Sequence, residues 1–121
     1  MEANREDIAW AAGLFEGEGH VRLMKGYPVA AITSIHIDLL ERFRDIIGFG
    51  KVYGPYGPYR ARQNVFWRYD AHGHEYVQAL VAKLWHELTP RLRSKATNVL
   101  SVHPVRRGVT WSRPGVSWDG S

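Results

Sequence analysis

The 121-residue sequence predicts an α+β domain, a four-stranded antiparallel sheet with helices packed on one face. Two observations predict this fold. Some segments have apolar residues at helical spacing, and others alternate apolar and polar residues as strands do. Along the chain one helical segment precedes each pair of strand segments and another follows the last pair, which gives the order αββαββα. The ββα unit then occurs twice, and antiparallel hairpins of this kind bury one face and expose the other. The chain length and a hydrophobic content of 45% fit one domain with one core.

The first predicted helix runs from about Arg5 to Glu16. Asn4 is a suitable N-cap, and Asp7 three residues later completes a capping-box pattern. The run "AWAAGLF" is small and apolar, and the glycines of the following "GEG" predict where the helix ends.

A hairpin and a second helix are predicted next. "HVRLMK" alternates like a half-buried strand, Gly26-Tyr27-Pro28 is predicted to turn the chain, and the β-branched "VAAITSIHI" forms the second strand. Asp38 is then expected to cap a helix with the apolar spacing of "LLERFRDII", which Gly48 ends.

A second hairpin and two helices complete the predicted domain, residues 1–102. "KVYG" and "NVFWRYD" predict strands joined by the loop "GPYGPYRAR", which has a basic tip. "HEYVQALVAKLWHEL" predicts an amphipathic helix ending near Thr89-Pro90, and "SKATNVLSV" predicts a short last helix. Residues 103–121 contain two prolines and no apolar period, so we expect a loose tail whose arginines and tryptophans suit phosphate contact and stacking.

Charge is distributed unevenly along the chain. The net charge is +4, with −3 in residues 1–45 and +7 in residues 46–121, where most of the aromatic residues also lie. Basic side chains interleaved with aromatic ones are typical of surfaces that bind a phosphate backbone. A solvated basic surface is the alternative.

Several features of the sequence bear on location. No apolar run approaches the roughly 20 residues that span a bilayer. The N-terminal "MEANRED" does not resemble a secretion signal, and the chain has no cysteine. We therefore expect an intracellular protein of the cytoplasm or nucleoid, not secreted and without a membrane partner.

The sheet face away from the helices is expected to carry long hydrogen-bond donors and flat rings. Such side chains suit contacts with base edges and phosphates. With two arginines from the loop, the predicted DNA-binding residues are His20, Arg22, Met24, Lys51, Tyr53, Arg60, Arg62, Asn64, Phe66 and Arg68. A merely solvated sheet face is the alternative interpretation.

Two acidic residues, Glu16 and Glu18, stand where the first helix is predicted to end. A helix C-terminus carries partial negative charge, so each carboxylate there is disfavoured by about 0.3–1 kcal/mol. A violation of a local rule indicates a functional site, at which these carboxylates meet a positive group.

The stretch "AAGLFEGEG", residues 11–19, resembles the signature of the LAGLIDADG homing endonucleases, with alanine in the first position and glutamate in both acidic places. The order αββαββα and the segments "IGFGKVYG" and "LTPRLRSKATNVL" resemble the single-motif members over residues 7–100. The resemblance implies a site-specific endonuclease that hydrolyses phosphodiester bonds of double-stranded DNA as a homodimer.

The same resemblance implies how two copies associate. Ala9 and Gly13 lie four residues apart and form a small-residue stripe that lets a second helix approach closely. With Ala12 beside them, they are the predicted dimer interface, while Ile8, Ala12 and Phe15 can also pack under the sheet. Two motif helices would then meet about a two-fold axis.

Catalytic roles are also implied by the resemblance. The Glu18 carboxylate and the Gly17 carbonyl are expected to bind Mg²⁺ (or Mn²⁺), which would explain the acids at the helix end. Glu18 is one methylene longer than the family's commoner aspartate. Glu16 is expected to orient groups or outer-shell water, and Lys95 matches the lysine of a P-x-L-x-x-K segment near the scissile phosphate.

Two other functions of the same fold stay open at this point. One is an RNA-splicing maturase, favoured by the basic aromatic tail. The other is a catalytically degenerate DNA-binding protein, which the intact acids at both motif positions disfavour.

Overall fold

The computed structural model describes residues 3–102, and the predicted tail, residues 103–121, lies outside them. It confirms the predicted α+β fold and element order, with the last predicted helix preceded by a short 3₁₀ turn at Trp85–Glu87. The elements are α1 (Arg5–Glu18), β1 (Gly19–Met24), β2 (Tyr27–Ser34), α2 (Ile37–Ile47), β3 (Lys51–Tyr56), β4 (Phe66–His72), α3 (His74–Leu84) and α4 (Pro90–Ser101).

The four strands form one antiparallel sheet in the order β1-β2-β4-β3. A single core lies between this sheet and the helices. At its centre Phe15 of α1 stacks on Phe43 of α2 with ring centroids 6.0 Å apart, and Phe43 meets Tyr69 of β4 edge-on at 4.9 Å. Within residues 3–102, no helix combines the length and apolar character needed to cross a bilayer.

Helix α1 begins as predicted and ends later. The capping box is present, since the Asn4 side chain accepts from the Asp7 amide at 2.8 Å and the Asp7 carboxylate accepts from the Asn4 amide at 3.4 Å. The helix continues through Gly17 and includes Glu18 as its last residue. Gly19 then turns the chain into β1 with φ −93°, and a Cβ there would collide with the Phe15 ring, so close approach explains this glycine.

The first hairpin corrects the predicted turn. Lys25 and Gly26 form the turn with φ of 52° and 85°, and β2 begins at Tyr27. Two consecutive positive φ values match the right-handed twist of a two-residue hairpin, so Tyr27 and Pro28 are free to enter the strand. At the other end β2 stops at Ser34, whose hydroxyl accepts from the His36 amide at 3.0 Å.

Both the second and the last helix begin before the predicted residue. α2 starts at Ile37, which places Asp38 in the first turn and not at the N-cap. α4 starts at Pro90, because the Thr89 hydroxyl caps it by accepting from Leu92 N and proline fits the first helical position.

Candidate functional site

The two motif carboxylates at the end of α1 have different surroundings. Glu16 is largely covered, with 17% of its side chain exposed, and its carboxylate accepts from the Thr89 amide at 2.6 Å and the Thr89 hydroxyl at 3.1 Å. Arg91 Nη2 lies 3.5 Å from the same group. Glu16 therefore joins the end of α1 to the N-terminus of α4, where a negative charge is favourable.

Glu18, by contrast, is exposed and makes no hydrogen bond or ion pair within residues 3–102. It lines an open cleft of about 770 Å³ with residues at the end of β2, of the turn that follows it and of the loop before β4, among them Ser34, Arg62 and Asn64. The last turn of α1 contains no basic residue. This carboxylate is therefore available to a group outside the chain.

The described part of one chain does not assemble a complete cation site. In the part of the chain that the structure describes, no three His, Cys, Asp or Glu side chains converge to hold a metal. Glu18 and Gly17 close α1 and offer a carboxylate and a helix-terminal carbonyl, oxygen donors of the kind that Mg²⁺ takes. This donor set fits a hard divalent cation, and a second copy would be needed to add another carboxylate.

Lys95 lies on α4 with its side chain exposed, and its charge reaches the start of β1. The pKa of His20 lies below its ordinary value because of burial first, and then because of the charges of Arg22 and Lys95, opposed by Asp70. Arg22 Nε donates to His20 Nε2 at 3.3 Å, which also requires an unprotonated nitrogen there. α4 thus places a positive charge near the residue that follows the motif.

The strand register brings most of the predicted DNA-binding residues onto the open sheet face. His20 pairs with Ala31, which pairs with Asp70, which pairs with Lys51. One step along the same face, Thr33 pairs with Arg68 and Arg68 with Tyr53. The residues on this face are His20, Arg22, Met24, Lys51, Tyr53, Phe66 and Arg68.

Asn64 is the exception to the predicted sheet positions. β4 begins at Phe66, so Asn64 lies in the preceding loop with Arg60 and Arg62. The Phe66 ring packs against Tyr56 at 5.6 Å and Tyr59 at 6.0 Å, and Phe66 pairs with Tyr56 of β3 as the first residue of the strand. Arg62 and Asn64 line the cleft that contains Glu18.

Sequence reasoning missed Asp70 on the open face. Its side chain is 6% exposed, and both carboxylate oxygens accept from Arg68 Nε, at 3.1 and 3.0 Å. His72 Nε2 lies 3.5 Å from Oδ2 of the same group. The signal was the alternation of Arg68, Asp70 and His72 in one strand, which places all three side chains on one face.

No protein-family model matches the chain, and no curated protein matches its sequence. Solved structures do match. The homing endonuclease I-CvuI, in complex with the I-CreI target in 2 mM Mg with the DNA not cleaved, has a TM-score of 0.57 at 20% identity over 80% of this chain and 67% of its own. The homing endonuclease I-TnaI has a TM-score of 0.57 at 17% identity over 82% and 70%. The LAGLIDADG meganuclease I-CpaMI, bound to uncleaved DNA, has a TM-score of 0.58 at 14% identity over 77% and 36%. This chain has the LAGLIDADG homing endonuclease fold.

In this LAGLIDADG fold, α1 is the helix that carries the motif, and Glu18 is its last residue. The resemblance stated from the sequence is thus confirmed at the level of fold. The roles of Glu18, Gly17 and Lys95 in catalysis stay predictions.

The LAGLIDADG helix also shows which of the predicted interface residues are accessible in the single chain. Ala9 and Gly13 are exposed, and a Cβ on Gly13 would meet no atom within 4 Å. Ala12 is 1% exposed and belongs to the core of the single chain, so it offers almost no surface to a second copy, and its place in an interface stays a prediction. Ala12 lies three residues before Phe15 on α1, so the two side chains share the face that packs into the core.

Proposed function

We propose that this chain is a site-specific double-stranded DNA endonuclease that acts as a homodimer with a divalent metal ion, Mg²⁺ or Mn²⁺. The observation that carries the proposal is the exposed Glu18 carboxylate at the end of the motif helix, without a partner in residues 3–102, beside a basic sheet face. A carboxylate at that helix end is unfavourable unless a cation meets it.

The homodimer is supported by the exposed stripe of α1. Ala9 and Gly13 leave room for a second helix backbone. They expose apolar surface in the single chain, and a partner helix would bury that surface. Two copies related by a two-fold axis along this stripe would bring both Glu18 carboxylates toward the axis. Two carboxylates held close together repel each other, and a cation between them would relieve that repulsion.

In the proposed reaction the water oxygen bonds to phosphorus while the P–O bond to the leaving nucleotide breaks, and the proton released by the water ends on the departing oxygen. Glu18 and the Gly17 carbonyl would hold the metal ion, which when bound polarises the phosphate and lowers the pKa of its water. Lys95 would stabilise the negative charge that develops on the phosphate oxygens. Glu16 positions this lysine indirectly, because its carboxylate fixes the start of α4 through Thr89.

The open sheet face is the proposed DNA contact. Arg22, Lys51 and Arg68 supply positive charge, and the loop arginines Arg60 and Arg62 extend it beyond the strands. Phosphate contacts fix the register of the protein on the duplex, and contacts to base edges in the grooves select the sequence. Residues 1–102 would form this endonuclease domain, with residues 103–121 adding phosphate contacts.

Selection from a random duplex library, followed by a cleavage assay on the selected DNA, tests this function. We expect a palindromic site bound by two copies and cut in both strands in Mg²⁺, with no cutting in EDTA. Binding without cleavage would favour the degenerate DNA-binding protein, and preferential binding of structured RNA would favour the maturase. Failure to select any DNA sequence would contradict the proposal.

A further inference from the structure

Asp70 is a buried carboxylate on the surface proposed to meet DNA. It is the one charged side chain buried within residues 3–102, at 6% exposure. Its negative charge would repel DNA phosphates, and taking a carboxylate out of water is costly. Its partner Arg68 has 41% of its side chain exposed, and an ion pair that water reaches on one side contributes little to stability.

The contacts of Asp70 hold Arg68 in one orientation. Arg68 Nε donates to both carboxylate oxygens, and the guanidinium carbon lies 5.8 Å from the Tyr53 ring centroid and 5.3 Å from that of Tyr56. The two Nη groups of Arg68 make no hydrogen bond in the described part of the chain. The guanidinium is therefore fixed at its Nε edge and has donors left for another molecule.

The free Nη donors of an arginine fit the hydrogen-bond acceptors of one base, guanine. Guanine presents two acceptors, O6 and N7, in the major groove, and a bidentate arginine contact there is the commonest specific one. An arginine already held by a carboxylate and two rings loses less rotamer freedom on binding than a free one.

We propose that Asp70 is a positioning residue that sets Arg68 to select a guanine in each half of the DNA site. This inference rests on the proposed function, because it needs a duplex on the open sheet face. Asp70 does not touch the DNA in this account. It acts through Arg68. Its negative charge lowers the affinity for DNA phosphates, and in return Arg68 distinguishes guanine from the other bases more strongly.

The test compares Asp70→Asn with wild type in selection from a random duplex library. Asn keeps the shape of Asp70 and removes the charge that binds Arg68. We expect preference for guanine at one base pair per half-site to fall by about 10-fold, with other positions unchanged and non-specific binding equal or tighter. Asp45→Asn is the matched control, because Asp45 is an exposed carboxylate paired with Arg44 on α2.

A second variant locates the effect at Arg68. Arg68→Lys keeps the charge but cannot make a bidentate contact, so it should lose preference at the same base pair, and Asp70→Asn should add nothing to it. If Asp70→Asn does not fold by circular dichroism, Asp70→Glu replaces it and should give a smaller loss at that base pair. An unchanged selected sequence, or an affinity loss spread evenly over all positions, would overturn the role of Asp70. Wild type that selects no sequence would overturn the proposed function as well.

Discussion

The two motif glutamates are expected to affect stability in opposite directions. Glu16 is mostly buried and accepts two hydrogen bonds from Thr89 at the N-terminus of α4. A net hydrogen bond to a charged group contributes about 1.5–3 kcal/mol, and an acid near a helix N-terminus adds about 0.3–1 kcal/mol. The two bonds share one carboxylate and are not additive, so we expect Glu16→Ala to lower the free energy of unfolding by about 2–4 kcal/mol.

Glu18 supplies the matched comparison. It has no partner within residues 3–102 and stands at the unfavourable end of α1. Glu18→Gln removes that repulsion, so we expect the free energy of unfolding to stay the same or rise by up to about 1 kcal/mol.

Urea denaturation followed by circular dichroism, without divalent metal, measures both variants under one condition. The linear extrapolation resolves differences of this size when the slope with denaturant is unchanged. Equal stability of Glu16→Ala and wild type would refute the assignment of Glu16 to the α1–α4 connection. A loss in Glu18→Gln as large as that in Glu16→Ala would refute the distinction between the two acids.

Three further changes test other parts of the account. Gly13→Leu should keep the fold, since its Cβ meets open space, but should give a monomer in sedimentation velocity at low micromolar concentration. The control Ala79→Leu, at an exposed position of α3, should still form the dimer. A dimeric Gly13→Leu would contradict the pairing of two α1 helices. Gly19→Ala should cost about 1–3 kcal/mol in urea denaturation because the methyl group collides with Phe15, and an unchanged midpoint would contradict this contact. Because the folded-state pKa of His20 lies below 6.5, wild type should lose stability relative to His20→Gln as the pH falls below 6.5, and a constant difference from pH 8 to about 5 would contradict the shift.

The sequence predicted the element order because its local signals are strong. The Asn4 capping box and the alternation of Trp67, Arg68 and Tyr69 both specify structure within a few residues, and the structure confirms both. The predicted ends of helices and strands are wrong by two to four residues where a contact of a nearby side chain determines where the element begins or ends. Ser34 ends β2 through its bond to the His36 amide, which no periodicity shows.

The candidate site was predicted less completely because its contacts are distant in sequence. Glu16 bonds to Thr89, 73 positions away, and nothing near either residue indicates this pairing. Part of the basic charge also serves the fold. Lys83 Nζ donates to the Ile47 carbonyl at the end of α2, and Arg93 donates to the carbonyls of Trp85 and His86 after α3. Net charge alone does not separate such capping residues from DNA contacts.

Strand-resolved cleavage by wild type and Glu18→Gln tests the central claim most directly. Both proteins would be compared at saturating concentration on the selected duplex in Mg²⁺, with binding measured in the same samples. The account predicts that wild type cuts both strands, and that Glu18→Gln binds the same DNA as a dimer and cuts neither. Cleavage by Glu18→Gln at the wild-type rate, or no cleavage by bound wild type, would contradict it.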